Sequence, residues 1–302
     1  MRETFEKYQI LFLVIIMSIL GANGTFFKIA LRELPIDLFT FLRFAFAYIF
    51  FLPYLLTQTK EVVAGKRKLI LISLLGTLNV FLFVLGLDHT TASIAVTMYA
   101  SGPLVIAAFS LVILKEKISL KKWLGIFLGF IGVLFIVAAP LFGKGSVWNG
   151  TLAGNLTLVG AVLVFSLYSV LSRKYSREYS PLTLTKYFIY TTIVSQTLLL
   201  SFHSGSLSLL KEISLTTWLC VIYVAVGGTV LYYILYQYII KKATAVMASM
   251  SFFLQPIAGI IWASLLLGEK ITRPFFFGGL LVFLGMAVFF HEQYSSRPRA
   301  IN

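Results

Sequence analysis

Apolar residues fall into ten blocks, 8–29, 36–57, 69–87, 92–114, 121–140, 152–172, 181–202, 214–239, 243–267 and 274–291, separated by short polar stretches. Each block is close to the roughly 20 residues a helix needs to cross a hydrocarbon core about 30 Å thick. Strands of a membrane barrel would alternate apolar and polar positions over about ten residues. Runs such as Leu69 to Leu75 or Phe276 to Met286 show no alternation. The pattern predicts an all-α polytopic membrane protein with ten transmembrane helices.

Composition agrees: 59% of the 302 residues are hydrophobic and 12% are charged, against about a quarter charged in an average soluble domain. The net charge of +14 would suggest nucleic acid, so the placement of the basic residues matters. With the N-terminus inside, 17 Lys and Arg fall on cytoplasmic segments and six, Lys28, Arg32, Lys144, Lys211, Lys270 and Arg273, on the other side; Arg43 and Lys186 lie within spans. That bias follows the positive-inside rule and predicts both termini in the cytoplasm of a bacterial inner membrane, with no nucleic-acid partner. The single cysteine, Cys220, lies inside the eighth block, which excludes an internal disulfide or a thiolate metal cluster and reads as a buried thiol. The first block ends in small residues as a signal peptide would, but its flank mixes Glu3 and Glu6 with Arg2 and Lys7. It is read as a retained helix.

Sliding the sequence against itself by 153 positions aligns 91–136 with 244–289 without a gap. Of those 46 positions, 12 are identical, among them Pro103, Glu116, Lys117, Gly125 and Gly132. Shared hydrophobicity does not place proline, glutamate and glycine in one register, so the chain is a tandem duplication. The expected division is a first five-helix repeat at 1–140 and a second at 141–302. Five is odd, so the second repeat enters the membrane from the opposite side. Charge agrees: Asp88 and His89 align with Lys241 and Lys242, and the basic loop at Lys115 to Lys122 aligns with one holding only Lys270 and Arg273. Inverted repeats around a midplane site are the usual build of secondary transporters. The longest loops, around Gly143 to Asn149, Thr57 to Lys68 and His203 to Ile213, run to 11 or 12 residues. They leave no room for a nucleotide-binding domain, and a GxxxxGK[ST] phosphate loop is absent.

Each repeat ends in a helix, a Glu-Lys-Ile turn and a glycine-rich final helix: Glu116, Lys117, Ile118, Gly125, Gly129 and Gly132, then Glu269, Lys270, Ile271, Gly278, Gly279 and Gly285. In this the chain resembles the EamA branch of the drug/metabolite transporter superfamily, over nearly its whole length. The resemblance implies a ten-helix carrier, typically an exporter of amino acids, related metabolites or toxic analogues, with a central cavity lined from both halves. One departure stands out: before the first glutamate, where the family commonly has glycine, the chain has Lys115.

Pro103 and Pro256 lie near the centres of spans 4 and 9 and would free the carbonyls of Tyr99 and Phe252, either as hinges beside a cavity or as packing kinks. The uncharged polar residues at depth include Asn23, Asn79, Tyr99, Tyr168, Tyr232 and Gln255. Lipid would leave their hydrogen-bonding groups unsatisfied, so they either line a substrate site or bond neighbouring helices. Asn79 and Tyr232 are equivalent under the offset and would face the symmetry axis together. Arg43 and Lys186 are either intramembrane contacts or headgroup anchors. Glu116 and Glu269 read as turn-makers at helix ends. No Asp, Glu or His falls at mid-span, which favours facilitated diffusion or exchange over carboxylate-gated ion coupling.

No HExxH, GxSxG or metal-ligand pattern is present, so neither enzymatic chemistry nor a cofactor is expected. The preferred reading is an exporter or exchanger of amino acids or related metabolites. A carrier of anionic compounds such as nucleotide sugars, which would need Arg43, Lys28 or Lys186 in the cavity, and a non-transporting assembly factor are the alternatives. The partners implied are a small-molecule substrate and the bilayer, with a homodimer left open.

Overall fold

The computed structural model describes residues 2–57, 66–89, 95, 98–138, 151–201, 210, 213–267 and 273–295. Among them, helices follow the ten blocks: α1a (Arg2–Gly21) and α1b (Gly24–Ala30), α2 (Ile36–Thr57), α3 (Lys66–Asp88), α4 (Gly102–Phe109, continued by a π turn, Ser110–Leu114) and α5 (Leu120–Ala138). The second half holds α6 (Leu152–Tyr175), α7 (Pro181–Ser201), α8a (Leu215–Ala225), a π turn (Val226–Leu231), α8b (Tyr232–Lys242), α9a (Ala245–Ser249), α9b (Ser251–Leu267) and α10 (Arg273–Ser295). The 143–149 loop, Glu269 and Lys270 lie outside the described residues.

Seven of these stretches are long and apolar enough to cross a membrane, from Tyr8–Ala30 to Phe276–Ser295, and Met98–Leu114 is a shorter apolar helix. Leu71, Phe127, Leu215 and Phe276 are exposed on the outside, a surface that suits lipid tails and not water. α7 is rich in threonine and shows how polar groups are accommodated. The hydroxyls of Thr185, Thr191, Thr192, Ser195 and Thr197 donate to carbonyls one turn back, on Pro181, Tyr187, Phe188, Thr191 and Ile193. Their hydrogen bonds close within the helix.

Packing repeats between the halves when each helix is exchanged for the one five places on. α3 packs on α6 as α8 packs on α1, α4 on α6 as α9 on α1, and α3 on α7 as α8 on α2; α5 packs on α10 and α2 on α7. The α5–α10 pair shows the sense of the symmetry. A Cβ at Gly125 would stand 2.7 Å from the Gly285 carbonyl oxygen, and one at Gly132 would stand 2.6 Å from that of Gly278. Numbers rise along one helix as they fall along the other, so the two are antiparallel. Since Gly125 is equivalent to Gly278 and Gly132 to Gly285, the two-fold axis crosses this seam perpendicular to the helices. It therefore lies in the membrane plane, and the repeats are inverted. Apolar lipid gives helices no hydrophobic reason to associate, so close backbone approach at small residues supplies the contact.

Several spans are interrupted, each for a local reason. α1 breaks at Ala22 and Asn23. Pro103 stands in the first turn of α4, just after a turn at Ser101 that separates it from the helical residues 98–100, and there its missing N–H costs no bond within α4. Pro256 lies inside α9b, six residues after α9a gives way at Met250. The π turn of α8 contains Gly227 and Gly228, and its Thr229 hydroxyl donates to the Val224 carbonyl at 2.9 Å. Lys115 ends the π turn of α4 with φ 57°, the left-handed conformation, which favours glycine, the residue the resemblance leads one to expect there.

Candidate functional site

Buried polar side chains gather where α1, α3, α4, α6, α8 and α9 meet. Asn79 of α3 donates from Nδ2 to the Tyr99 hydroxyl at 2.6 Å and to the Ala161 carbonyl at 2.8 Å. Gln255 of α9b donates from Nε2 to the Tyr232 hydroxyl at 3.3 Å. These two bonds link equivalent helix pairs, α3 with α4 and α8 with α9. Each bond clips a span to its neighbour in the same half, and the second bond of Asn79, to Ala161, crosses to α6 of the other half. Tyr168 is fully buried and its hydroxyl accepts from Gln237 Nε2 at 2.7 Å.

Aromatic rings connect these groups into one cluster. Tyr99 lies against Phe165 and Phe252, Phe165 against Tyr168 and Tyr236, and Tyr232 against Tyr233 and Tyr236, with ring centroids 5.3 to 6.4 Å apart. Phe188 of α7 joins Tyr233 at 4.3 Å and Phe44 of α2 at 5.7 Å. Asn23 lies in the break of α1 beside the second clip. Gly21, two residues earlier, has no side chain because a Cβ there would be 2.7 Å from the Tyr232 ring and 2.8 Å from Gln255 Nε2. Tyr232 and Gln255 thus gather around Gly21 and Asn23 lies against Gly228, while Tyr99 and Tyr168 lie against Phe165 and Asn79 bonds Tyr99.

Three polar groups extend the expected set. Gln237 is fully buried and also donates to the Ser172 hydroxyl, and Ser169 shares a 2.7 Å hydrogen bond with Tyr236. Positions 232, 233, 236 and 237 form one helical stripe, the spacing that would have found Gln237 from sequence. Arg43 turns inward: Nε donates to the Thr229 hydroxyl at 2.6 Å and Nη2 to the Gly228 carbonyl at 3.3 Å. Lys186 is half-buried, its Nζ 5.9 Å from the Tyr187 ring centroid, and Lys28 is exposed on α1b.

Charge pairs sit at the ends of the bundle. Arg173 Nε lies 3.6 Å from Glu116 Oε1, while its Nη1 donates to the carbonyls of Ile240 and Lys241 at the end of α8b. Glu116, Lys117 and Gln293 border a cavity of ≈ 210 Å³ there. Between α1b and α2, Glu33 Oε2 accepts the Ser214 N–H at 2.8 Å, and these hydrogen bonds hold its carboxyl below the usual carboxylate range. Cys220 is buried. The chemistry available at the centre is non-covalent: neutral donors and acceptors between aromatic faces, with one inward cation.

Interrupted helices, inverted halves and a polar–aromatic centre define a membrane transporter. The EamA-like transporter family model matches residues 7–138 and again 152–291, so the chain belongs to the EamA-like transporter family. It is 30% identical over 220 residues, 70% of each chain, to the uncharacterized transporter YyaM of Bacillus subtilis. It is 27% identical to YetK of the same organism, over 90% of this chain and 83% of that one. With a probable amino-acid metabolite efflux pump of Salmonella typhimurium it shares 24% identity, over 91% of this chain and 92% of the other. A solved crystal structure superposes with a TM-score of 0.76 at 17% identity, covering 93% of this chain and 96% of that one, and shares the fold.

Proposed function

We propose that this transporter exports or exchanges amino acids or related small metabolites by alternating access, without ATP hydrolysis, with both termini in the cytoplasm of a bacterial inner membrane. The observation that supports the reading is the set of polar pairs in both halves, Asn79 with Tyr99, Tyr168 with Gln237 and Tyr232 with Gln255, linked by aromatic rings beside interrupted helices. Their hydrogen bonds join protein groups that a solute's amide, amine or carboxylate could replace one for one. Asn23 completes the set, and the interruptions at Pro103 and near Pro256 supply hinges. The Salmonella relative, named as a probable amino-acid metabolite efflux pump, points to the same solutes. The test is counterflow of the twenty labelled L-amino acids into proteoliposomes holding the purified chain. Accumulation of a subset above empty liposomes is the expected result, and accumulation of none rejects the substrate class.

A further inference from the structure

Arg43 is the one charged side chain that the centre holds among the described residues. A cation at this depth is costly and marks a solute path or a fixed partner. Its hydrogen-bond partners are neutral, the Thr229 hydroxyl and the Gly228 carbonyl. The guanidinium lies 5.6 Å from the Phe27 ring centroid and 5.3 Å from that of Phe44, faces that attract the charge without neutralising it. None of the ion pairs among the described residues includes it. Guanidinium carries five N–H donors in a fork that fits a carboxylate, and two are engaged here.

A second, independent observation lies on the same residue. Asn23 Oδ1 is buried and receives no hydrogen bond, and its carboxamide packs directly on Gly228, where a Cβ would collide with it. A buried acceptor without a donor is costly, so an unmatched donor fork and an unmatched acceptor share Gly228 between them.

We propose that Arg43 and Asn23 form a head-group subsite, Arg43 receiving the carboxylate and Asn23 Oδ1 the ammonium of a zwitterionic amino acid. This rests on the amino-acid reading above and adds the atoms that recognise the class. A plain anion would satisfy Arg43 and leave Asn23 unpaired, and a plain amine would do the reverse. The solute's side chain then extends toward the Tyr232 and Tyr236 rings.

The test is competition in the same counterflow assay, using for each carried amino acid its decarboxylated amine, its deaminated acid and inorganic phosphate. On the wild-type chain both organic analogues compete about tenfold more weakly than the amino acid, the loss expected for one unmade charged hydrogen bond, and phosphate does not compete. Arg43→Gln weakens the amino acid about tenfold and leaves the amine unchanged, while Arg43→Lys recovers part of the loss. Equal competition by the amine, competition by phosphate, or wild-type selectivity in Arg43→Gln overturns the subsite and leaves the amino-acid reading standing. Counterflow of no amino acid overturns both. The analogue competition on wild type decides the matter even where a variant fails to fold.

Discussion

The α5–α10 seam and the centre around Phe165 are both buried between the halves, yet they are built from opposite materials. At the seam, Gly125, Gly132 and Gly285 bring backbone against backbone of the facing helix, with no space for even a methyl group. At the centre, hydroxyls and carboxamides bond one another while Asn23 Oδ1, Gln237 Oε1 and Ser251 Oγ stay unmatched. Backbone contact of this closeness has one arrangement. Hydrogen bonds among neutral groups have several of similar energy, and unmatched acceptors lower the cost of exchanging between them. On the proposed alternating-access reading, the difference teaches where a two-state motion belongs: the seam would be the fixed axis and the centre the part that rearranges.

The largest expected effect breaks the seam. In Gly285→Leu the new Cβ starts 2.5 Å from the Gly129 backbone nitrogen, and backbone cannot yield as a side chain does. The variant should lose about 3 kcal/mol of stability or fail to fold, seen as a lost monodisperse peak in size-exclusion chromatography. Gly227→Ala is the matched change at the centre, facing the flexible Leu20 side chain at 3.3 Å. The helical preference of alanine, about 0.5 to 1 kcal/mol, offsets that contact, so stability should stay within about 1 kcal/mol of wild type.

Next come changes that separate transport from stability at the centre. Asn79 has two partners, so Asn79→Ala should lower the thermal midpoint and transport together, by about 1 to 3 kcal/mol. Tyr232→Phe removes one acceptor from a 3.3 Å bond and should leave the midpoint nearly unchanged while flux falls. Equal flux in Tyr232→Phe would assign that hydroxyl to helix bonding alone.

Smaller effects belong to the ends. Lys115→Gly relieves a left-handed residue beside the seam and should raise stability by about 1 kcal/mol in thermal unfolding. Glu33 has a lowered carboxyl pKa, so its cap on Ser214 contributes above the ordinary carboxylate range and is lost as pH falls through the lowered value. The melting difference between wild type and Glu33→Gln should therefore be visible at about pH 7 and shrink progressively as pH falls below the unfolded glutamate pKa near 4.3.

The seam was legible in sequence because the residues that build it, Gly125 with Gly278 and Gly132 with Gly285, are the same ones that betray the duplication. The helices were legible because the length of an apolar block is itself the requirement for crossing a bilayer. The centre was only half legible. Asn79, Tyr99, Tyr168 and Tyr232 could be selected by depth and polarity, but not their partners, since a side chain's direction depends on which helix packs against it. Arg43 shows this: its position permits either a headgroup or an interior contact, and the Gly228 carbonyl and Thr229 hydroxyl, supplied by the other half, decide for the interior. The break at Asn23 and the π turn at Val226–Leu231 left no periodicity signal.

The most direct measurement is the accessibility of the centre from each side of the membrane. With Cys220 replaced by alanine, Gln255→Cys is challenged with an impermeant maleimide in right-side-out and in inverted vesicles. A transporter whose centre rearranges about a fixed seam predicts labelling from both sides, slowed by the carried amino acid. A single cysteine at Gly129 on the seam should label from neither. Labelling of Gln255→Cys from neither side, or from one side under every condition, would contradict alternating access through this centre.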